Sequence, residues 1–476
     1  MTRKEQDALH AVQGHEIAMP LPERGEKLSV DHAIAHCFTR EAVVPERTLL
    51  TEALKRGVGS VTVDGTKREL AKRTLIRGKH GGRDVATTSD MQAAESRLIG
   101  FARDGRGRFR PLGDPKRPCR REWFNDGQKA AVAHVLGSRD RVTIIRGVAG
   151  TGKTTLEKEL GEALAEGGVK VVALAQSVGA SRDTLRNQAG FADADTVARF
   201  LKDKEMQMSA SNGVILVDEA GLLGTQEMLQ LFNTARDVKA RVVLVGDRKQ
   251  HRSVSAGEPL KLLEEKAKLP VAEVTEILRQ SGDYRNAAMA LSEGRTEDGF
   301  QELDKLGWIR QVPDADRYKE LAAAYLAAVK EKDRNGEYKS ALVVSPTHAE
   351  AARITGAIRW KLQEEGRLGA ERTMATWVPT YLTEAQRADE VNYQPGDMLR
   401  FYQHVPGHQS GSRMVVGEAS TPPVQHADRF QVYRPDQLTL AAGDRVRVTA
   451  NGKTKDGKHA LDNGYPSGEM RSRQVG

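Results

Sequence analysis

The sequence predicts an α/β fold built on a parallel sheet with helices on both faces, and three observations predict it. Four short apolar runs appear between residues 141 and 247: "RVTIIRG" (141–147), "VKVVALAQ" (169–176), "VILVDEA" (214–220) and "RVVLVGD" (241–247). Helical segments such as "KTTLEKELGEALAEG" and "TQEMLQLFNTARD" lie between them. A later run, "KSALVVSPT" (339–347), is followed by "HAEAARITGAIRWKLQEEG" and starts a second unit of the same kind. Near-continuous apolar strands that alternate with helices belong to a parallel sheet covered on both faces.

The chain has 476 residues, which predicts two to four domains. Charged residues make up 29% and aromatic residues 5%, with a net charge of +8. That balance is compatible with a polyanionic partner without requiring one. Two cysteines, Cys37 and Cys119, argue against a disulfide framework or a cysteine-based zinc site. No apolar run is long enough to span a bilayer, and no charged-then-apolar signal segment opens the chain. The expectation is a cytoplasmic protein with no membrane insertion.

Taken in order, residues 1–25 read as a polar tail that reaches Pro20 and Pro22. Residues 26–120 read as a helical domain and a basic linker. "SVDHAIAHCF" has Ser29 as a cap before a periodic run, and "VPERTLLTEALKRGVG" opens with Pro45 and stops at Gly57. "RLIGFARDGRGRFRPLGDPKRPCRREW" is basic and rich in Gly and Pro, as a linker or exposed arm over 97–122 would be. Residues 121–280 carry the main sheet, and 281–390 begin the second unit. From 391 to 465 the Gly- and Pro-rich turns of "YQPGDMLRFYQ" and "RFQVYRPDQLTLAAGDRVRVTANG" read as a small antiparallel β module, with 466–476 as a tail.

The first strand runs into "GVAGTGKTT", which is Gly147-x4-Gly152-Lys153-Thr154 in a strand–loop–helix context. This is the phosphate-binding loop pattern. Gly147, Gly150, Thr151, Gly152 and Thr155 belong to the loop and helix start, where backbone N–H groups turn toward phosphate oxygens. Lys153 brings a point charge to the β/γ-phosphates, and the Thr154 hydroxyl serves Mg²⁺. ATP and Mg²⁺ are the implied cofactors. The same logic accounts for two carboxylates at the end of "VILVDEA". Asp218 stands at a strand's C-terminal end, where ligands collect in open parallel sheets, and would hold Mg²⁺. Glu219 would act as general base for the attacking water. A capping pair before a helix is the plainer alternative.

Further motifs follow. In "LVGDRKQ", Asp247 and Gln250 stand after a strand, where a Gln can sense the γ-phosphate. In "EILRQ", Arg279 is placed to act as an arginine finger. Upstream, Gln128 in "WFNDGQKAAVAHVL" offers a paired donor and acceptor to an adenine edge. The order of Gln128, "GVAGTGKTT", "ALAQSVGASRDTL", "ADTVARFL", "VDEAG", "LVGDRKQ", "LRQ" and "LVVSPT" resembles superfamily 1B DNA helicases of the RecD-like group. It is most like the helicase part of TraI/TrwC-like (MobF family) conjugative relaxases, over residues 25–465. The resemblance implies a RecA-like first motor lobe, the start of a second lobe and an SH3-like β insertion. It implies that Gln128 reads adenine, Lys153 and Thr154 bind phosphate and Mg²⁺, Asp218 and Glu219 serve metal and water, Gln250 senses the γ-phosphate and Arg279 is the finger. Ser177, Thr196, Ser345 and Thr347 match positions that touch the backbone of single-stranded DNA. The implied activity is 5′→3′ translocation on single-stranded DNA, with the conjugative transfer machinery as partner. A RecD-like repair helicase and an ATP-dependent DNA-binding remnant are the alternatives.

Three departures stand out. Gln176 in "AQS" occupies the place of a proline. The nicking domain of full-length relaxases, with its tyrosines and three-histidine metal cluster, is not found, and His32 and His36 lack further ligands. Two late motor motifs are also missing, which leads to the expectation of a motor truncated before its second lobe closes.

Overall fold

Residues 25–87 form a small helical domain closed by a three-stranded sheet. Helices α1 (Gly25–Phe38), α2 (Glu46–Arg56) and α3 (Val63–Ala71) pack around Val30, Ala33, Leu49 and Ala53. Strands β1 (Val44–Pro45), β2 (Ile76–His80) and β3 (Arg83–Thr87) pair antiparallel in the order β1-β3-β2. Pro45 and Gly57 bound α2 as the sequence suggests. Ser29 does not cap α1. The helix already runs at Gly25, the first described residue, and Ser29 is buried inside it. The computed structural model describes residues 25–148, 150–247, 255–278, 282–333, 335–417 and 420–447, together with the strand backbones at 452–453, 460–461 and 466–467.

The start of the stretch read as a linker or exposed arm is instead packed, and most of 103–120 is exposed. Helix α4 (Ser89–Asp104) is capped by Thr88 and sends Ala94, Leu98, Phe101 and Ala102 into the core of the main lobe. Phe101 stacks on Phe232 with ring centroids 4.6 Å apart. Some of the basic residues that follow are tied to the lobe. Arg117 and Arg121 reach the buried Glu159, and Arg110 gives its carbonyl to the buried Arg241. Composition alone reports the charge of such a segment and is silent on its distant partners.

The apolar runs become neighbouring strands of one parallel sheet: β4 (Val142–Gly147), β5 (Val171–Ala175), β7 (Val214–Val217) and β8 (Arg241–Gly246). The short β6 (Asp195–Thr196) and β9 (Val271–Val274) form its edges, in the order β6-β5-β7-β8-β4-β9. Every pairing is parallel. Alternate residues enter opposite layers. Ile144, Ile215, Val217, Val242 and Leu244 face one core cluster, and Ile145, Val214, Leu216, Val243 and Val245 face the other. Helices α5 (Asp126–Gly137) and α6 (Lys153–Glu166) cover the second face, while α4 and α7 (Thr225–Asp237) cover the first. This is the RecA-like α/β phosphate-loop architecture, with β8 between the strand that leads to the loop and the strand that carries the carboxylates.

Beyond the sheet lie α8 (Tyr284–Ser292), α9 (Thr296–Lys305), α10 (Arg317–Ala328) and α11 (His348–Glu364). The strand expected at 339–347 forms no ladder among the described residues. Leu342 and Val344 are 87% and 81% exposed, so the run has β-type sequence without a sheet to bury it. The antiparallel module is present as β10 (Arg372–Pro379), β11 (Met398–Phe401), β12 (Arg413–Val415) and β13 (Phe430–Leu440), in the order β10-β13-β11-β12. It begins at Arg372, within the stretch the sequence reading gave to the second unit. Leu399, Phe401, Phe430 and Val432 form its core.

Helix α1 touches this module. His36 Nδ1 lies 3.0 Å from Thr383 Oγ1, and Arg56 Nε lies 2.7 Å from Asp389, which also faces His32. The two histidines therefore serve a contact between domains. Among the described residues no three His, Cys, Asp or Glu side chains gather as a metal cluster, and no helix is long and apolar enough to cross a membrane.

Candidate nucleotide-binding site

The loop between β4 and α6 curls over the C-terminal end of the sheet. Gly150 and Gly152 have φ of 83° and 79°, a left-handed conformation that glycine adopts without a Cβ clash. Gly147 is needed for a different reason. A Cβ there would stand 2.8 Å from Lys153 Cγ, where the lysine folds back across the loop. Thr151 is buried and its hydroxyl donates to the Val148 carbonyl at 2.8 Å. The Leu278 N–H ties the loop to the segment after β9 by donating to the Gly150 carbonyl at 2.8 Å. Lys153, Thr154 and Thr155 open α6, so the helix N-terminus points into the same space.

Gln128 is buried at the start of α5 and braces this loop. Its Nε2 donates to the Thr151 carbonyl at 3.1 Å, and its Oε1 accepts from the Asn125 N–H at 3.2 Å. Asn125 and Gln128 form a reciprocal capping box. Both ends of the amide that the sequence reading offers to adenine are thus engaged within the chain.

The two carboxylates follow β7, on the far side of β8 from the loop strand. Asp218 is buried at the end of β7, and its Oδ1 accepts the Glu219 N–H at 2.8 Å. Glu219 adopts φ 50° and ψ 42°, a left-handed conformation that costs a non-glycine residue about 1 kcal/mol or more. That turn aims its Oε1 at Lys153 Nζ, 3.1 Å away. The phosphate-loop lysine and the expected general base therefore already meet as an ion pair. Burial, and then the neighbouring Glu219, push the Asp218 carboxyl above its ordinary range.

Sequence reasoning missed Glu157. It is fully buried on α6, and its carboxyl lies within hydrogen-bonding reach of Asp218. Neither of its oxygens meets a donor. Burial, followed by Asp218, raises its carboxyl well above the usual range. The signal was available. Glu157 follows Lys153 by four residues and Thr154 by three, so it shares their helix face, next to the buried apolar Leu156 and Leu160.

The remaining predicted residues fall into two groups. Asp247 is buried at the end of β8, whereas Gln250 and Arg279 lie outside the described residues. The four hydroxyls all work locally. Ser177 accepts the Ala180 N–H at 3.1 Å, and Thr196 and Thr347 accept the Arg199 and Glu350 N–H groups as helix caps. Ser345 donates toward the Thr347 carbonyl and the Glu350 carboxylate. The loop, an ammonium, a hydroxyl and buried carboxylates at one sheet end fit a nucleotide phosphate chain with a hard divalent cation.

Comparison with known proteins places this site in context. Residues 123–314 match the AAA domain family. The chain is 23% identical over 478 residues to the multifunctional conjugation protein TraI of Escherichia coli, covering 86% of this chain and 27% of that protein. It is 29% identical over 255 residues to the conjugal transfer protein TraA of Rhizobium radiobacter, covering 52% and 22%. It is 31% identical over 168 residues to the ATP-dependent RecD2 DNA helicase of Deinococcus radiodurans, covering 34% and 22%. The chain spans about a quarter of the length of the curated relatives it matches.

Proposed function

From a chain similar to the helicase portion of TraI-like conjugation proteins, we propose an ATP-driven motor on single-stranded DNA that works 5′→3′ in conjugative plasmid transfer. The observation that carries the ATPase part is the meeting of Lys153 and Glu219 at 3.1 Å, beside buried Asp218, over a loop whose glycines Gly147 and Gly152 admit the Lys153 and Gln128 side chains. The DNA and transfer parts rest on the similarity to TraI, TraA and RecD2 and on the net charge of +8.

Lys153 holds the β/γ-phosphates once Glu219 gives it up. Thr154 and Asp218 would hold Mg²⁺, which would supply charge neutralisation to the phosphates. Glu219, released from Lys153, turns to the attacking water and takes its proton. Gln128 keeps the Thr151 carbonyl fixed, so the loop keeps its shape as phosphate enters. Gln250 and Arg279 are proposed as γ-phosphate sensor and finger. Ser177, Thr196, Ser345 and Thr347 are proposed on the DNA path, where hydroxyls bond phosphates without reading sequence.

The test is ATP hydrolysis by the purified chain with and without single-stranded DNA, beside Lys153→Ala. Nucleotide binding that the variant lacks is expected; DNA-stimulated turnover would mark a working motor, and movement on 5′-tailed rather than 3′-tailed duplexes would fix its direction. A chain that binds no nucleotide overturns the reading.

A further inference from the structure

Glu157 has no role in the reading above, yet it occupies a costly position. A carboxylate with no exposed surface and no donor on either oxygen is normally excluded from a core. It faces Asp218, a second buried carboxylate. Lys153 is the nearby cation, and Glu219 already takes it at 3.1 Å. With Lys153 paired to Glu219, no other cation among the described residues acts on Glu157 and Asp218, whose buried carboxyls are pushed toward the protonated form and would carry two negative charges once ionised. Thr154 lies one turn back on the helix face that Glu157 shares, so its hydroxyl falls on the same side. Two hard carboxylates and a hydroxyl match a divalent cation that prefers oxygen ligands.

We propose that Glu157, Asp218 and Thr154 form a divalent-cation site that fills before the nucleotide arrives. The inference rests on the nucleotide-site reading, from which it takes Thr154 and Asp218, and adds Glu157 and the order of binding. A phosphate-loop site with one carboxylate relies on the nucleotide's own oxygens to bring the metal. A second buried carboxylate removes that dependence, so this chain takes its cation first and receives the phosphates on a charged, prearranged site.

The test is a Mn²⁺ titration of the full chain, stripped of metal and nucleotide, with free Mn²⁺ read by electron paramagnetic resonance. One site per chain is expected, weakened at least tenfold by Glu157→Leu and by the isosteric Glu157→Gln. In EDTA both variants should melt no lower than the parent, so that lost binding is not lost folding. Mn²⁺ should raise the parent's melting temperature and leave the variants' unmoved. Absence of Mn²⁺ binding by the nucleotide-free parent, or unaltered binding by the variants, overturns the proposal, and a shared proton then fills the place of the cation. Titration of the same samples with a fluorescent ATP analogue separates the two readings. If nucleotide binds and Mn²⁺ binds only beside it, this inference alone falls. If neither binds, the nucleotide-site reading falls as well.

Discussion

Glu157 and Glu159 stand two residues apart on α6, both without exposed surface, and their surroundings drive them in opposite directions. Glu159 faces the strap that precedes the sheet. It accepts from Arg117 Nη1 at 2.8 Å, Arg121 Nη1 at 2.7 Å and the backbone N–H groups of Arg120 and Arg121. Burial opposes its charge, but these donors outweigh it and bring its carboxyl down to about 2. Glu157, on the other face of the helix, meets carboxylates and no donor, and its carboxyl is pushed up. Burial is common to both, so donors decide the sign. One face of the helix uses its carboxylate to hold the fold, and the other leaves its carboxylate without a donor.

The sharpest way to break this contrast is to remove each charge. Glu159→Ala leaves Arg117 on Glu166 and Arg121 on Glu162 but orphans the Arg120 and Arg121 backbone N–H groups, and should cost about 1–3 kcal/mol of unfolding free energy. Glu157→Leu, measured in EDTA, should cost nothing or stabilise by about 1 kcal/mol or more, because it replaces a buried carboxyl that meets no donor with an apolar side chain. Urea denaturation reads both, and equal losses would erase the distinction. Acid sharpens it. The folded Glu159 carboxyl lies near 2, below the ordinary value of 4.5. Its contribution is therefore complete above about pH 4.5 and lost as pH falls toward 2. The stability gap between the parent and Glu159→Gln should narrow by up to about 3 kcal/mol through that window.

The functional face has its own test. Glu219→Gln should keep nucleotide binding and lower turnover by about a hundredfold or more, as expected for loss of a general base. Lys153→Ala should lose binding first. Equal loss of both properties in Glu219→Gln would assign that residue to the loop's structure and not to the water. Gln128→Ala should do less. Removing one buried hydrogen bond to the Thr151 carbonyl costs about 1 kcal/mol, read as a several-fold weaker affinity for an ATP analogue.

The same contrast explains what the sequence could reveal. Lys153, Thr154, Asp218 and Glu219 were legible because a phosphate loop demands fixed residue types at fixed spacing, and the apolar runs fixed the sheet through their two-sided burial. Glu157 breaks an apolar helix face, a signal visible in the sequence but overlooked because the motif ends at Thr155. The strap was misread for a deeper reason. Arg117, Arg120 and Arg121 are explained by Glu159, Glu162 and Glu166, some forty residues away in sequence, and no local pattern reports such pairing. The run at 339–347 failed in the opposite sense. Its local pattern is a strand's, but a strand needs a neighbour, and Leu342 and Val344 have found none among the described residues.

The smallest expected effects concern the four hydroxyls, and here hydrogen-bond direction ranks them. A hydroxyl that accepts from a backbone N–H still has its own proton to give to a DNA phosphate. Ser177 and Thr347 are exposed acceptors of this kind. Thr196 leans its proton toward Asp195 at 3.5 Å, and Ser345 donates within its own turn at 3.1 Å. Ser177→Ala and Thr347→Ala should therefore weaken single-stranded DNA binding by about 0.5–1.5 kcal/mol each, and Thr196→Ala and Ser345→Ala by less. Thr347→Ala also removes a helix cap, at about 1 kcal/mol of stability, so Thr347→Ser serves as the control that keeps both cap and donor. Fluorescence anisotropy with a short labelled oligonucleotide at low salt checks the ranking. If all four variants bind DNA like the parent, the hydroxyls are caps alone, and the DNA path lies elsewhere on the lobe.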